Sequence, residues 1–196
     1  TTLFRSQEEV IDNIVKDYID GGFKVTVVDN SPSQTTFCDS PNYNYIHFAN
    51  NVGIAAAQNA GLNHLFAAGC DRVVILDQDS HISVEKIGAL SEQFNVLCQD
   101  KSIAAIGPSI LCEFSNQIQK PKIQREKTEV NDTREVKQLI ASGKMISREA
   151  FFDVGPKDES PFIDGVDHEW CWRAARKGYK VYKSSTVVMR HRQGDD

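Results

Sequence analysis

Arg72-Val73-Val74-Ile75-Leu76 runs straight into Asp77-Gln78-Asp79, so two carboxylates stand where an apolar segment breaks into solvent. A strand of Val, Ile and Leu with no polar alternation is buried on both faces, as in a parallel sheet covered by helices. Ligands of such sheets gather at the carboxyl ends of the strands. Paired acids there are hard oxygen ligands suited to Mg2+ or Mn2+ that keeps waters and bridges a diphosphate. An isolated D-x-D more often caps the next helix and stays solvated, so its neighbours must decide. Asp29 ends a β-branched run from Phe23 to Val28, and Asn50-Asn51-Val52-Gly53 precedes an Ala-rich stretch holding Gln58, Asn59 and Gly61. A third acidic run, Asp164-Gly165-Val166-Asp167-His168-Glu169, leads to Trp170, Trp172 and Arg173.

The elements that would carry these groups follow from pattern and punctuation. Ser6 with Glu9 resembles a capping box, and Val10, Ile11, Ile14, Val15, Tyr18 and Ile19 form one helical stripe ended by Gly21-Gly22. Phe23 to Val28 predicts a strand that delivers Asp29 to a turn at Asn30-Ser31-Pro32. Tyr45 to Phe48 predicts a short strand, Ile54 to Ala68 a helix closed by Gly69, and Val73 to Leu76 a strand. Ser83 caps a helix reaching Leu97, and Ile103 to Ile106 is a strand before Gly107-Pro108. Alternating helices and strands imply βαβ crossovers and a mainly parallel sheet in an α/β architecture. Ser115 to Glu135 is charged and poor in large apolar residues, which predicts a long surface excursion around a short β segment. Beyond it, the pattern predicts a strand over Val136 to Ile140, a short helix over Ser147 to Phe152 and a longer one over Gly165 to Lys177. Two strand pieces follow, Val181 to Tyr182 and Thr186 to Met189.

Composition narrows the function classes. The chain has 196 residues, 40% hydrophobic and 25% charged, which suits one soluble globular domain. Net charge is -5 and no Lys/Arg cluster interleaves with aromatics, which gives a nucleic-acid groove no footing. The five cysteines are odd in number and form no C-x-x-C pair, so neither a disulfide framework nor a zinc knuckle is indicated, and a reducing cytosol fits. No stretch approaches the ~20 apolar residues that cross a bilayer.

Taken in order, Asp29, the Asn51 to Gly61 segment N-x-G-I-A-x-A-Q-N-x-G, the Leu76 to Ser80 segment L-D-Q-D-S, Ser142-Gly143 and the Phe162 to Arg173 segment F-I-D-x-V-D-x-E-W-C-x-R resemble glycosyltransferase family 2. They are most similar to its rhamnosyltransferase branch, and the likeness runs from Phe23 through Gly178-Tyr179 to His191-Arg192-Gln193-Gly194-Asp195. The resemblance implies a single domain over residues 1–196 with the GT-A, Rossmann-like, three-layer α/β/α fold. Residues 1–110 would bind the nucleotide-sugar and 111–196 would face the acceptor. It implies that Asp29 contacts the donor's base or ribose, that Asn51 and Gly53 line the nucleotide pocket, and that Gln58 and Asn59 support it. Asp77 and Gln78 would lie on the ribose or the metal's surroundings, Asp79 would ligate Mg2+ or Mn2+, and His191 would reach the same metal or the diphosphate. Asp167, six residues before Arg173, aligns with the family's general base, with Asp164 as reserve. Val166 stands where many members have Glu. Arg173 would contact either an acid of the motif or the diphosphate.

The activity so implied is an inverting, metal-dependent transfer of L-rhamnose from dTDP-L-rhamnose to a saccharide or lipid-linked saccharide acceptor. Its setting would be lipopolysaccharide O-antigen synthesis, in the cytoplasm or at the inner face of the membrane. A UDP-hexose or UDP-N-acetylhexosamine donor is an alternative that changes nothing at Asp29 or Asp79. A noncatalytic nucleotide-sugar-binding module is the alternative of another class, against which the intact acids argue. Family members usually open with a strand that forms part of the nucleotide pocket. This chain starts at Thr1 and goes almost directly into a helix, so that strand is expected to be missing from it. Relatives also often continue past the His-containing segment into a membrane-docking region, which leaves peripheral attachment open.

Overall fold

The computed structural model describes residues 2–34, 40–78, 80–99, 102–112, 117–118, 129–160 and 166–191, with side chains from residue 11 onward except at 112, 117, 118, 129, 130 and 191. Asp79, Asp164 and the side chain of His191 fall outside that description, as does most of the Ser115 to Glu135 excursion. The chain divides into two compact units, Thr1–Cys70 with Glu159–Asp164, and Asp71–Asp158 with Gly165–Asp196.

The first unit holds α1 (Thr2–Asp20), β1 (Val25–Asp29), β2 (Tyr43–His47) and α2 (Ile54–Ala67). Helix α1 begins at Thr2, so Ser6 lies within it and the expected N-cap at Ser6 is corrected. Its stripe buries Val15 and Tyr18, and Tyr18 meets Phe23 edge-on at 6.5 Å between ring centroids. Strands β1 and β2 pair in parallel from Val25 opposite Tyr43 to Asp29 opposite His47, so both carboxyl ends carry polar side chains at one edge. Helix α2 buries Ala55, Leu62 and Phe66, and Gly61 lets it lie close on β1: a Cβ there would stand 3.2 Å from Val28 Cγ2.

The second unit contains β3 (Arg72–Val74), α3 (Val84–Cys98), β4 (Ile103–Cys112), β5 (Gln117–Ile118), β6 (Glu129–Val130), β7 (Thr133–Val136), β8 (Met145–Ser147), α4 (Arg148–Val154), α5 (Val166–Arg176) and β9 (Lys180–His191). Its sheet runs β3-β8-β4-β9-β7-β6, with β5 paired to the end of β4. The expected mainly parallel sheet is corrected here. Among the described strands of this unit only β4 and β9 pair in parallel, and the other pairings are antiparallel. The α/β class holds, but β8 enters between β3 and β4 against both, and three residues are too few to show a period.

Other differences have local causes. Strand β4 runs through Gly107-Pro108 to Cys112 because its register against β9 shifts between Gly107 and Ser109, and a bulge tolerates a proline that cannot donate to the ladder. Across that shift Ser109 Oγ donates to Ser184 O at 2.6 Å, and Val187 N donates to Ser184 Oγ at 2.9 Å, so the Ser184-Ser185 break in apolar pattern interrupts no strand. The strand expected over Val136 to Ile140 ends at Val136. Leu139 is apolar because it is buried against Gly107, not because it pairs. Ser83 does cap α3, accepting from Lys86 N at 3.4 Å, and Ile87, Leu90, Phe94 and Leu97 form its buried stripe. No helix of the described residues is long and apolar enough to cross a membrane.

Candidate active site

In the first unit, Asp29 closes β1 and turns the chain by accepting from Ser31 N at 2.7 Å, while Tyr45 donates to its other oxygen at 2.5 Å. Burial works to raise the Asp29 pKa. The Tyr45 hydroxyl, Ser31 and the nearby His47 outweigh it and hold the carboxyl below the usual range. His47 stacks on Tyr45, with centroids 6.3 Å apart and planes 5° apart, and its Nε2 lies 2.8 Å from Ser31 O. Asn30 joins this corner to the start of α2: its Nδ2 donates to Gly53 O at 3.3 Å and its Oδ1 accepts from Val52 N at 3.5 Å. Asn51 Oδ1 accepts from Gly53 N at 2.9 Å. Gly53 sits at φ 85°, which L residues rarely adopt, and no side chain caps the helix that it opens. Asp29, Asn51 and Gly53 are thus brought together through Asn30. Asn59 is buried further along α2 and donates to Glu159 at 2.8 Å.

In the second unit, the backbone beyond β3 stays paired: Ile75 N donates to Lys144 O at 3.0 Å, and Gly143 N donates to Ile75 O at 2.8 Å. This carries Asp77 to Ser142. The Ser142 hydroxyl donates to Asp77 Oδ2 and lies 2.8 Å from Ser80 Oγ, and both serines are buried. Gln78 is exposed. Among the described residues no group of three His, Cys, Asp or Glu side chains gathers as a metal cage, and Asp79 with the His191 side chain stands outside that set. The donors described around Asp77 are a carboxylate and two hydroxyls, hard oxygens that fit Mg2+ or Mn2+ rather than a soft metal.

Asp167 lies in the first turn of α5, and its Oδ1 accepts from two lysines, Lys144 Nζ at 2.8 Å and Lys157 Nζ at 2.7 Å. Both lysine side chains are closed to solvent, whereas that of Asp167 is 21% exposed. Burial works to raise the Asp167 pKa, but the two ammonium groups prevail and hold the carboxyl below the usual range. For Lys157, burial and then the charge of Lys144 push the pKa down to about 8 against the pull of Asp167. Neither lysine is evident as a site residue from spacing. Lys144 does interrupt the apolar stretch around Met145-Ile146, the one available signal, and Lys157 sits unmarked in a charged loop.

Ser142-Gly143-Lys144 therefore serves both acids of this unit, Ser142 at Asp77 and Lys144 at Asp167. Gly143 stands at φ 80°, where a Cβ would meet Pro108 Cγ at 2.7 Å. Arg173 directs its guanidinium to the protein: to Glu169 at 2.6 and 2.9 Å, to Val154 O at 3.0 Å and to Pro156 O at 2.7 Å. It braces α5 to the segment that bears Lys157. Trp170 is fully buried and donates to Gly155 O at 2.9 Å, whereas Trp172 is 51% exposed beside His168.

Comparison with known proteins matches residues 8–155 to the model of glycosyl transferase family 2. The chain is 32% identical over 183 residues to the dTDP-rhamnosyl transferase RfbF of Shigella flexneri, covering 87% of this chain and 60% of that protein. It is 26% identical over 204 residues to the low-salt glycan biosynthesis hexosyltransferase Agl10 of Haloferax volcanii, covering 96% and 65%. It thus spans about three fifths of the length of these relatives. Among solved structures, GalNAc-T7 with UDP, GalNAc and Mn2+ superposes with a TM-score of 0.63 at 13% identity, over 87% of this chain and 38% of that one. Staphylococcus aureus TarS 1–349 with UDP gives 0.61 at 13% identity, over 88% and 52%. With the family model covering most of its length, the chain belongs to glycosyl transferase family 2 and has the GT-A fold.

Proposed function

We propose that the chain is the catalytic domain of an inverting glycosyltransferase that moves L-rhamnose from dTDP-L-rhamnose to a saccharide or lipid-linked saccharide acceptor. The product would be a cell-surface polysaccharide of O-antigen type, made in the cytoplasm or at the inner face of the membrane. The observation that carries the reaction is Asp167, an ionised carboxylate with Oδ1 fixed and no hydrogen bond to Oδ2 among the described residues. The acceptor hydroxyl gives its proton to Asp167 as its oxygen bonds to the anomeric carbon. The bond from that carbon to the diphosphate breaks on the opposite face, its electron pair leaving with the nucleoside diphosphate, and one such displacement inverts the configuration. Asp29, with Asn51 and Gly53, takes the base or ribose, and Asn59, one turn into the helix that Gly53 opens, supports that pocket. Asp77 and Gln78 meet the ribose or the surroundings of the metal, with Ser142 aiming the Asp77 carboxylate. Asp79 and His191 would hold Mg2+ or Mn2+, which when bound supplies positive charge to the departing diphosphate. Arg173 braces α5 through Glu169 and Val154 O, and contact with the diphosphate is its other proposed role.

The likeness to a dTDP-rhamnosyl transferase supports the donor. A second reading, a UDP-hexose or UDP-N-acetylhexosamine donor in the same site, draws on the likeness to a hexosyltransferase. A panel of sugar nucleotides with Mn2+ or Mg2+ and a lipid-linked acceptor separates the two. Consumption of dTDP-rhamnose with inversion at the anomeric carbon is expected, and turnover of a UDP-hexose alone rejects the donor. Asp167→Asn is expected to abolish transfer while calorimetry shows nucleoside diphosphate bound as before. Undiminished turnover removes Asp167 from the mechanism.

A further inference from the structure

Two ammonium groups converge on one carboxylate oxygen, and folding alone does not ask for both. A single lysine would pair with Asp167, whereas a second adds repulsion between Lys144 and Lys157, whose side chains are both closed to solvent. The lysines come from separate segments, Lys144 from the turn before β8 and Lys157 from the stretch after α4. Bonds from two directions stop the carboxylate plane from rotating as one could not. Arg173 holds the carbonyls of Val154 and Pro156 beside Lys157, and Gly143 locks the turn beside Lys144, so both donors rest on backbone that is itself tied down.

We infer that Lys144 and Lys157 are positioning residues for the base, gripping Oδ1 of Asp167 so that Oδ2 is the oxygen presented to the acceptor hydroxyl. The inference rests on the reading of Asp167 as that base. The titratable groups facing the cluster are Lys144, Lys157 and, one turn along α5, buried Cys171, which lies near Lys157. A donor diphosphate brings negative charge, and like charge would push the base toward protonation. The lysines offset that push and keep Asp167 ionised while the donor is bound.

The test is the pH profile of kcat/KM for Lys157→Met and Lys144→Met, with Asp167→Asn as reference. Each lysine substitution is expected to move the acid limb to higher pH. At a pH where the native chain is still on its plateau, the variant would then show about a tenfold loss relative to its own plateau. A folded variant with an unmoved limb overturns the inference and leaves the base reading intact, provided that Asp167→Asn is inactive. An active Asp167→Asn removes both. Should the variants not fold, 13C titration of the Asp167 carboxyl in the native chain, assigned by the signal lost in Asp167→Asn, decides. Titration below the usual aspartate range supports the clamp, and titration within that range overturns it.

Discussion

Ser142 sets the direction of Asp77. Its hydroxyl donates to the carboxylate and meets Ser80, so Ser142→Ala strips Asp77 of a donor and leaves the buried Ser80 hydroxyl without that neighbour. Losing a hydrogen bond of this kind costs about 0.5 to 1.5 kcal/mol. In Ser142→Ala, urea unfolding is expected to show destabilisation within that range, and the freed Asp77 should lower kcat/KM by about tenfold, roughly 1.4 kcal/mol of misplacement. A variant with native kcat/KM would remove Ser142 from the alignment of Asp77. At the other acid, Tyr45→Phe deletes the hydroxyl that helps hold the Asp29 carboxyl below its usual range, so the Asp29 titration should move upward in a 13C experiment. Nucleoside diphosphate affinity should fall several-fold, measured by calorimetry. Equal affinity in the variant would separate Asp29 from donor binding.

The turn between Leu139 and β8 is the element on which the second unit's acids depend. Gly143→Ala must place a Cβ 2.7 Å from Pro108 Cγ and 3.2 Å from Met189 Sδ at a backbone angle of φ 80°. Left-handed strain of about 1 to 2 kcal/mol, plus the displacement of Pro108, predicts destabilisation of roughly 3 kcal/mol or more, measured by urea unfolding. Transfer activity should fall further than stability alone explains, since the same turn carries Ser142 and Lys144. This turn also marks where the sequence stops being legible. Helices α2 and α3 were readable because an Ala-rich run closed by Gly69, and a capped stripe at Ile87, Leu90, Phe94 and Leu97, are repeated local signals. Strand β8 was not, since Met145-Ile146-Ser147 is too short for a period and is defined by partners at Arg72–Val74 and Ala105-Ile106. The reach of β4 past Pro108 was hidden for a related reason: the bulge that accommodates it is a property of β9.

Across the whole molecule, the acids were legible and their partners were not. Asp29, Asp77 and Asp167 stand at element boundaries, where a carboxylate is conspicuous. Lys144 and Lys157 approach Asp167 from segments 23 and 10 residues away, a meeting that only the tertiary fold makes. That meeting gives the chain a pH signature of its own. Lys157 has a pKa of about 8 in the folded chain against 10.5 in the absence of burial and of Lys144. Between those two values the unfolded chain holds a proton that the native chain has released, so native stability rises with pH across the window. Below about pH 8 both states carry the proton, and the full cost of burying it is already present. Over 2.5 pH units at 1.36 kcal/mol each, the relief is on the order of 3 kcal/mol. Tyr179, whose pKa burial raises, works in the opposite direction at the upper end, but it is common to both chains and cancels when a variant is compared. Urea midpoints recorded from pH 7.5 to about 10.5 should therefore climb for the native chain relative to Lys157→Met. Parallel curves would mean that Lys157 keeps its proton throughout and that burial and Lys144 do not act on it as the geometry requires.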